Sequence, residues 1–476
     1  MAESAQSQAK RRRTSTAEIS KYPVVAGYRI STYAAPGTVL TMNEQKIIYH
    51  AWKIEPEEPK PNLEARRSNR LKKDMSKPND SESSSTRVTS RRSSEEDASA
   101  GGQSDVIHSL QSLRERVISL ERENEALRLS SRTKNPRKQE WEKWDWRKCE
   151  DRINSFPNFT LPIKEGGDVF TIHFAALFSQ KSDAIPLLCL HGWPGNFLEF
   201  YSILEILAQR YTPETLPYHI IVPSLPGYAF SSPPPLTRDF QLQNIAGIMN
   251  TLMIELGFGN GYAVQGGDIG SKISRVMAAT FDTVKAIHIN FCIMPEPEGV
   301  KDAQISDIEK EGLKRADTFL NLGSSYALQH ATKPSTIGLV LASNPIALLA
   351  WIGEKFLAWT DEDPPLDEIL TSVTLYWLTE TFPRSIYPYR QLFTPGVVGA
   401  HEKPEWYIKK HFGYSFFPKE LAPIPQAWAK TTGTLEFYRQ HESGGHFAPM
   451  EKPEFGGSEC GLDYRWASWH LPWVQC

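Results

Sequence analysis

The stretch Gly266-Gly267-Asp268-Ile269-Gly270 follows a short apolar run, Tyr262-Ala263-Val264-Gln265. Small residues around a reactive side chain at this spacing mark a sharp strand-to-helix turn, in which flanking glycines let the backbone take a strained bend. Such a turn lifts its central side chain above the end of a sheet. Serine at the centre would imply acyl transfer, but the residue here is Asp268. A carboxylate nucleophile forms an ester with an alkyl carbon, so the pattern predicts attack on an epoxide or an alkyl halide rather than on an acyl compound.

That nucleophile needs partners. His191-Gly192-Trp193-Pro194-Gly195 directly follows the apolar run Pro186-Leu187-Leu188-Cys189-Leu190. Its glycines permit close backbone approach, so the turn is expected to aim a main-chain N–H, that of Trp193, into the site, with the N–H of Ile269 as second oxyanion donor. His191 itself reads as a structural, hydrogen-bonding histidine. The expected base is His446, on the glycine-rich turn Gly444-Gly445-His446-Phe447. Chain order of nucleophile, acid and histidine limits the acid to carboxylates between Asp268 and His446. Glu420, in Phe416-Phe417-Pro418-Lys419-Glu420, is the choice. Glu402, Glu405 and Glu436 compete by position, and Glu442 stands too close in sequence. The acid would hold the imidazole tautomer and stabilise the imidazolium. Opening an epoxide also creates an alkoxide, so a proton donor must face Asp268, and a neutral tyrosine suits that task. Tyr326, Tyr376, Tyr387 and Tyr389 are available, and pattern does not choose among them.

Elements must hold these residues in place. Short apolar runs at 169–174, 186–190, 220–223, 262–265 and 284–289 alternate with helical stretches. This rhythm predicts an α/β fold, a mostly parallel sheet covered by helices on both faces. From 302 to 393 long helical patterns replace it, and strand-like segments resume at 427–432 and 435–439. A helical insertion between two parts of one sheet builds a lid. The apolar stretch 337–352, broken by Asn344-Pro345, is short for a transmembrane span and reads as buried helix.

The chain has 476 residues and a net charge of −3, without a strong overall bias toward nucleic acid or anionic membrane. Five cysteines are scattered, with no zinc-like spacing. Cys189 and Cys292, in apolar runs, are expected to be buried thiols. The N-terminus lacks the apolar core of a signal peptide, and a cytoplasmic location is expected. Residues 1–105 are mostly polar, basic and serine-rich, a composition that predicts disorder. Lys10-Arg11-Arg12-Arg13 reads as a nuclear import signal, a nucleic-acid contact or a solvated basic cluster. Leu110, Leu113, Val117, Leu120, Asn124 and Leu127 form a heptad seam within 106–130. It predicts either a self-pairing coiled coil, hence a homodimer, or one amphipathic helix packed on its own domain. The acidic, Gly/Ser-rich residues ahead of it argue against DNA binding.

Over residues 140–453 the chain resembles the microsomal-type epoxide hydrolases, nearest to the soluble fungal branch. The resemblance rests on Asp145-Trp146-Arg147, Asn154-Ser155-Phe156-Pro157, His191-Gly192-Trp193-Pro194-Gly195, Pro223-Ser224-Leu225-Pro226-Gly227-Tyr228 and the nucleophile turn. Thr332-Lys333-Pro334-Ser335-Thr336-Ile337-Gly338, Ala350-Trp351-Ile352-Gly353-Glu354-Lys355 and Gly444-Gly445-His446-Phe447 complete it. It implies the α/β-hydrolase fold, with a partial family cap at 140–165, core at 166–300, lid at 301–395, core again at 396–454 and an atypical tail at 455–476. It implies Asp268 as nucleophile, His446 as general base and Glu420 as its charge-relay acid. Tyr326 and Tyr389 match the two epoxide-activating tyrosines, with Tyr387 as fallback. The implied substrates are an epoxide and water, and the implied reaction uses no cofactor and no metal. A haloalkane dehalogenase shares the aspartate and histidine but typically holds halide with a tryptophan beside the nucleophile, where this chain has Ile269. An inactive, zipper-dimerised relative is the remaining alternative.

Overall fold

The computed structural model describes residues 143–392 and 401–453. The expectations for 1–105, for the heptad seam in 106–130 and for the tail 455–476 lie outside the described residues.

Among the described residues eight strands form one sheet, β1 (Asn158–Glu165), β2 (Asp168–Leu177), β3 (Ile185–Leu190), β4 (Tyr218–Pro223), β5 (Tyr262–Gly266), β6 (Val284–Ile289), β7 (Ile408–Phe416) and β8 (Gly433–Gln440). Their order is β1-β2-β4-β3-β5-β6-β7-β8. β1 and β2 run antiparallel to their neighbours, whereas β4, β3 and β5 to β8 are parallel. Every residue of β3 and of β5 is buried, which is why these strands read as unbroken apolar runs.

Four helices flank this sheet, α1 (Trp146–Ile153), α2 (Tyr201–Arg210), α3 (Leu242–Met253) and α4 (Asp268–Thr280). Alternate strand residues Leu187 and Cys189, and Ile220 and Val222, share a core with Tyr201, Leu204 and Leu207 of α2. That alternation follows from the pleat, which sends successive side chains to opposite faces. α4 packs against β3, β5, β6 and β7, and so carries the nucleophile turn over the centre of the sheet.

Between β6 and β7 the chain forms α5 (Asp307–Thr318), α6 (Ser325–Thr332), α7 (Pro334–Ala342), α8 (Pro345–Trp359), α9 (Leu366–Leu378), α10 (Phe382–Ser385) and α11 (Tyr389–Leu392). α5 starts at a reciprocal cap: Glu309 Oε2 accepts from the Ser306 N–H at 2.8 Å, and Ser306 Oγ accepts from the Glu309 N–H at 3.4 Å. The stretch 337–352 is not one buried helix. α7 and α8 meet at a bend of 116°, because the Asn344 side chain caps the Ile346 and Ala347 N–H groups and Pro345 begins a new helix. Leu339 and Val340, 73% and 53% exposed, leave part of α7 facing outward. No single helix among the described residues is long and apolar enough to cross a membrane.

Three further differences concern strands. Residues 427–432 form α12 (Gln426–Ala429) and a tight 3-10 turn, with Trp428, Ala429 and Thr432 buried at helical rather than alternating spacing. β7 went unread because Lys409, Lys410 and His411 dilute its first half. β1 also escaped the pattern: Pro162 interrupts it, which is tolerated because β1 is an edge strand.

Candidate active site

Asp268 begins α4 directly beyond β5, and its own backbone carries the strain, with φ at +45°. The expectation that the neighbouring glycines would absorb the bend is thus corrected. Their contribution is space: a Cβ on Gly266 would come 2.3 Å from the Gly270 carbonyl oxygen, and one on Gly270 would come 2.3 Å from that of Leu190. A non-glycine residue held at positive φ stores strain that the surrounding packing must sustain.

The Asp268 carboxylate lies in the cradle expected for an oxyanion. The Trp193 N–H donates to Oδ1 at 2.7 Å, and the Ile269 N–H also bonds the carboxylate. Oδ2 faces His446 Nε2 at 3.4 Å. Burial works against the charged form, but the His446 hydrogen bond and charge, with the two amides, prevail and hold the carboxyl below its ordinary range.

Behind His446 sits Glu420, with Oε1 accepting from His446 Nδ1 at 2.5 Å and from the Leu421 N–H at 2.6 Å. Both side chains are 1% exposed. Of the competing carboxylates, Glu436 pairs with His411 at 2.7 Å, Glu405 and Glu442 are exposed, and Glu402 lies near Lys272. Burial lowers the His446 pKa, yet the Glu420 charge and the hydrogen bonds to Asp268 and Glu420 outweigh it and raise it to about 10. His191 takes no part in this pair: its Nδ1 lies 3.0 Å from the Gly192 carbonyl and its Nε2 accepts the Leu225 N–H at 3.1 Å. Burial pushes it down to about 4, so it stays neutral.

The turn bearing His446 is held by α13 (Ala448–Glu451). Glu451 Oε1 accepts from the Phe447 N–H at 3.0 Å, and Oε2 accepts from the Gly445 and Asp361 N–H groups at 3.1 and 2.7 Å. Asp361 Oδ2 in turn accepts the Gly444 N–H at 2.9 Å. The His446 N–H donates to the Trp359 carbonyl at the end of α8, at 2.9 Å.

Tyr326 on α6 and Tyr389 on α11 come together over the Trp193 ring. Tyr326 stacks on Trp193 with centroids 5.2 Å apart, and Tyr389 stands perpendicular to it at 5.9 Å. The two phenols hydrogen-bond to one another. Burial, reinforced by the Asp268 charge, pushes both pKa values far up, so both hydroxyls keep their protons. Tyr376 is engaged elsewhere, donating to the Gly195 carbonyl at 2.9 Å. Tyr387 is half-buried and stands outside the ring cluster formed by the described residues.

Sequence reasoning passed over His330, wedged between Trp193 at 4.5 Å and Tyr389 at 4.9 Å, with Nε2 accepting from the Trp351 indole at 3.1 Å. Its signal was spacing, since it lies four residues beyond Tyr326 on one helix. Glu199 and Asn290 were also passed over, and both line a small cavity beside Asp268 and His446.

A carboxylate held where related folds present a serine hydroxyl makes this molecule an α/β hydrolase of the carboxylate-nucleophile class. The family model "Epoxide hydrolase N terminus" matches residues 88–200, a span that takes in the heptad segment, and "alpha/beta hydrolase fold" matches 185–351. The solved epoxide hydrolase of Aspergillus niger is 54% identical, with a TM-score of 0.62 over 65% of this chain and 78% of that one. A provisionally named epoxide hydrolase of Dothistroma septosporum is 48% identical over 66% of this chain and 75% of its own. Epoxide hydrolase 1 of Sus scrofa is 34% identical over 65% of this chain and 74% of its own. The chain belongs to the epoxide hydrolase family.

Proposed function

We propose that this chain converts epoxides to vicinal diols through an ester on Asp268. The observation that carries the reading is the division of labour at that carboxylate: Oδ1 is tied to the Trp193 N–H at 2.7 Å, while Oδ2 stands 3.4 Å from His446. Oδ2 is the oxygen left to attack an oxirane carbon. As the ring opens, the C–O bond breaks and its oxygen takes a proton from the Tyr326–Tyr389 pair. Water then attacks Cγ of the ester while His446 Nε2 accepts its proton. Charge builds on Oδ1, which the Trp193 amide already holds.

The first step prepares the second. Asp268 contributes both a hydrogen bond and a charge to the raised pKa of His446. Esterification removes that charge and lowers the pKa of the imidazole, so it can give up its proton and stand neutral, ready to act as base, once the intermediate exists.

The test is single turnover of styrene oxide in ¹⁸O-water, with mass spectrometry of the peptide bearing Asp268. Label should enter Asp268 and leave the first-turnover diol unlabelled. Asp268→Ala should form no ester, and His446→Gln should accumulate it. Label in the first-turnover diol, or no ester in His446→Gln, overturns the reading. Chloride release from chloroalkanes with no diol would favour a dehalogenase instead.

A further inference from the structure

A small cavity adjoins the nucleophile, leaving about 10 Å³ for the centre of a water-sized sphere, close to the least space that one water needs. Its lining comes from the turns and helix starts that follow the strands, including Gly195, Glu199, Asp268, Asn290 and His446, and includes no residue of the lid helices. The cavity thus touches the nucleophile and the base without involving the two tyrosines.

Two of its polar groups have no task in the ester chemistry described above. Asn290 is 1% exposed; its Oδ1 accepts from Gln265 Nε2 at 3.0 Å, while its Nδ2 is buried without a hydrogen-bond partner among the described residues. A buried amide left in that state is costly unless something accepts from it. Glu199 curls its carboxyl over Gly195, where a Cβ would come 1.3 Å from Glu199 Oε1. The chain has given up a side chain at 195 to make room for that carboxyl.

Glu199 also has a structural use. It follows Asn196 by three residues, its carboxyl takes the Asn196 N–H, and Asn196 Oδ1 takes the Leu198 N–H at 3.0 Å, so the two form a cap on a single 3-10 turn. A cap explains one hydrogen bond of the carboxyl. It does not explain the glycine beneath it, nor the unpartnered Asn290 amide lining the same cavity.

Taking Asp268 as the esterified residue, we propose that this cavity seats the hydrolytic water, with the Glu199 carboxyl and the Asn290 amide holding it between His446 and the ester carbon. Asn290 Nδ2 donates to the water oxygen, and one water hydrogen points to Glu199. The other hydrogen goes to His446 Nε2 as the oxygen bonds to Cγ. When the alkyl–oxygen half of the ester departs, His446 returns that proton to the leaving alkoxide, giving the diol. The second water proton passes from the new Asp268 carboxyl to the tyrosinate left by ring opening, which restores a carboxylate containing the water's oxygen. Burial raises the Glu199 carboxyl to about 8, the positive His446 opposing and Asp268 adding, so near neutrality it can both accept and donate.

The experiment separates the two chemical steps in the full chain, using styrene oxide, acid quench and mass spectrometric counting of the Asp268 ester. Glu199→Gln and Asn290→Ala should form ester at close to the parent rate but hydrolyse it roughly 10²-fold more slowly, the scale set by a misplaced reactant. Parent-like hydrolysis in both variants overturns the proposal. So does an equal slowing of both steps accompanied by a lower Tm, which is the signature of a lost cap. If His446→Gln accumulates no ester, the nucleophile reading itself fails, and the water seat falls with it.

Discussion

At Asp268 the geometry separates attraction for charge from reactivity. One carboxylate oxygen is fixed by the Trp193 amide and the other is left for the substrate. Tyr326→Phe or Tyr389→Phe should slow ester formation about 10²-fold while sparing hydrolysis, since a general acid contributes roughly 10²–10⁴; stopped-flow traces of the first step would show it. The raised pKa of His446 gives a second expectation. Asp268→Asn removes the Asp268 charge, so the imidazole should titrate below its parent value of about 10 in an NMR titration. An unchanged value would mean that Glu420 alone sets it. Much of this site was legible. Asp268, His446 and the HGWPG turn are read from glycine spacing, because only a tight turn needs that many missing side chains. The choice of Glu420 over Glu402, Glu405 and Glu436, and of Tyr326 and Tyr389 among four tyrosines, depends on packing across distant segments. Chain order and position already put Glu420 first among the carboxylates, whereas the choice among the tyrosines came from the family resemblance and not from the residues alone. Glu199 stayed hidden because its spacing from Asn196 already has a local explanation as a cap.

Elements were legible where burial on both faces made them uniformly apolar, as in β3 and β5. They were illegible where solvent reached one end, as in β7, or where an edge strand carried Pro162. The elements around the nucleophile have little slack. Gly270→Ala would place a Cβ 2.3 Å from the Leu190 carbonyl, forcing α4 away from β3. Destabilisation of roughly 1–3 kcal/mol by urea titration is expected, with loss of ester formation. α8 matters for another reason: Phe356, 1% exposed, stacks on Phe447 next to the base at 4.6 Å. Phe356→Ala should cost about 3–5 kcal/mol and slow ester hydrolysis more than ester formation.

For the molecule as a whole, the buried Asp268–His446–Glu420 row links stability to pH. His446 has a folded pKa of about 10 against an ordinary value of 6.5. The native state therefore binds that proton more tightly, and the stabilisation is complete below pH 6.5 and lost as pH rises through 10. Asp268, held low, expresses the same contact from the acid side, where stability is lost as pH falls through its folded pKa. The Tm of the parent should fall between pH 6.5 and 10, and in Asp268→Asn that fall should be shallower. Equal slopes would remove this pair from the account. Glu451 carries a different consequence. Its carboxylate joins the peptide units on either side of the base to Asp361, just beyond the last turn of α8. The segment after α8 and the imidazole are thereby mechanically joined, so a shift of Asp361 is passed to the backbone that aims the base.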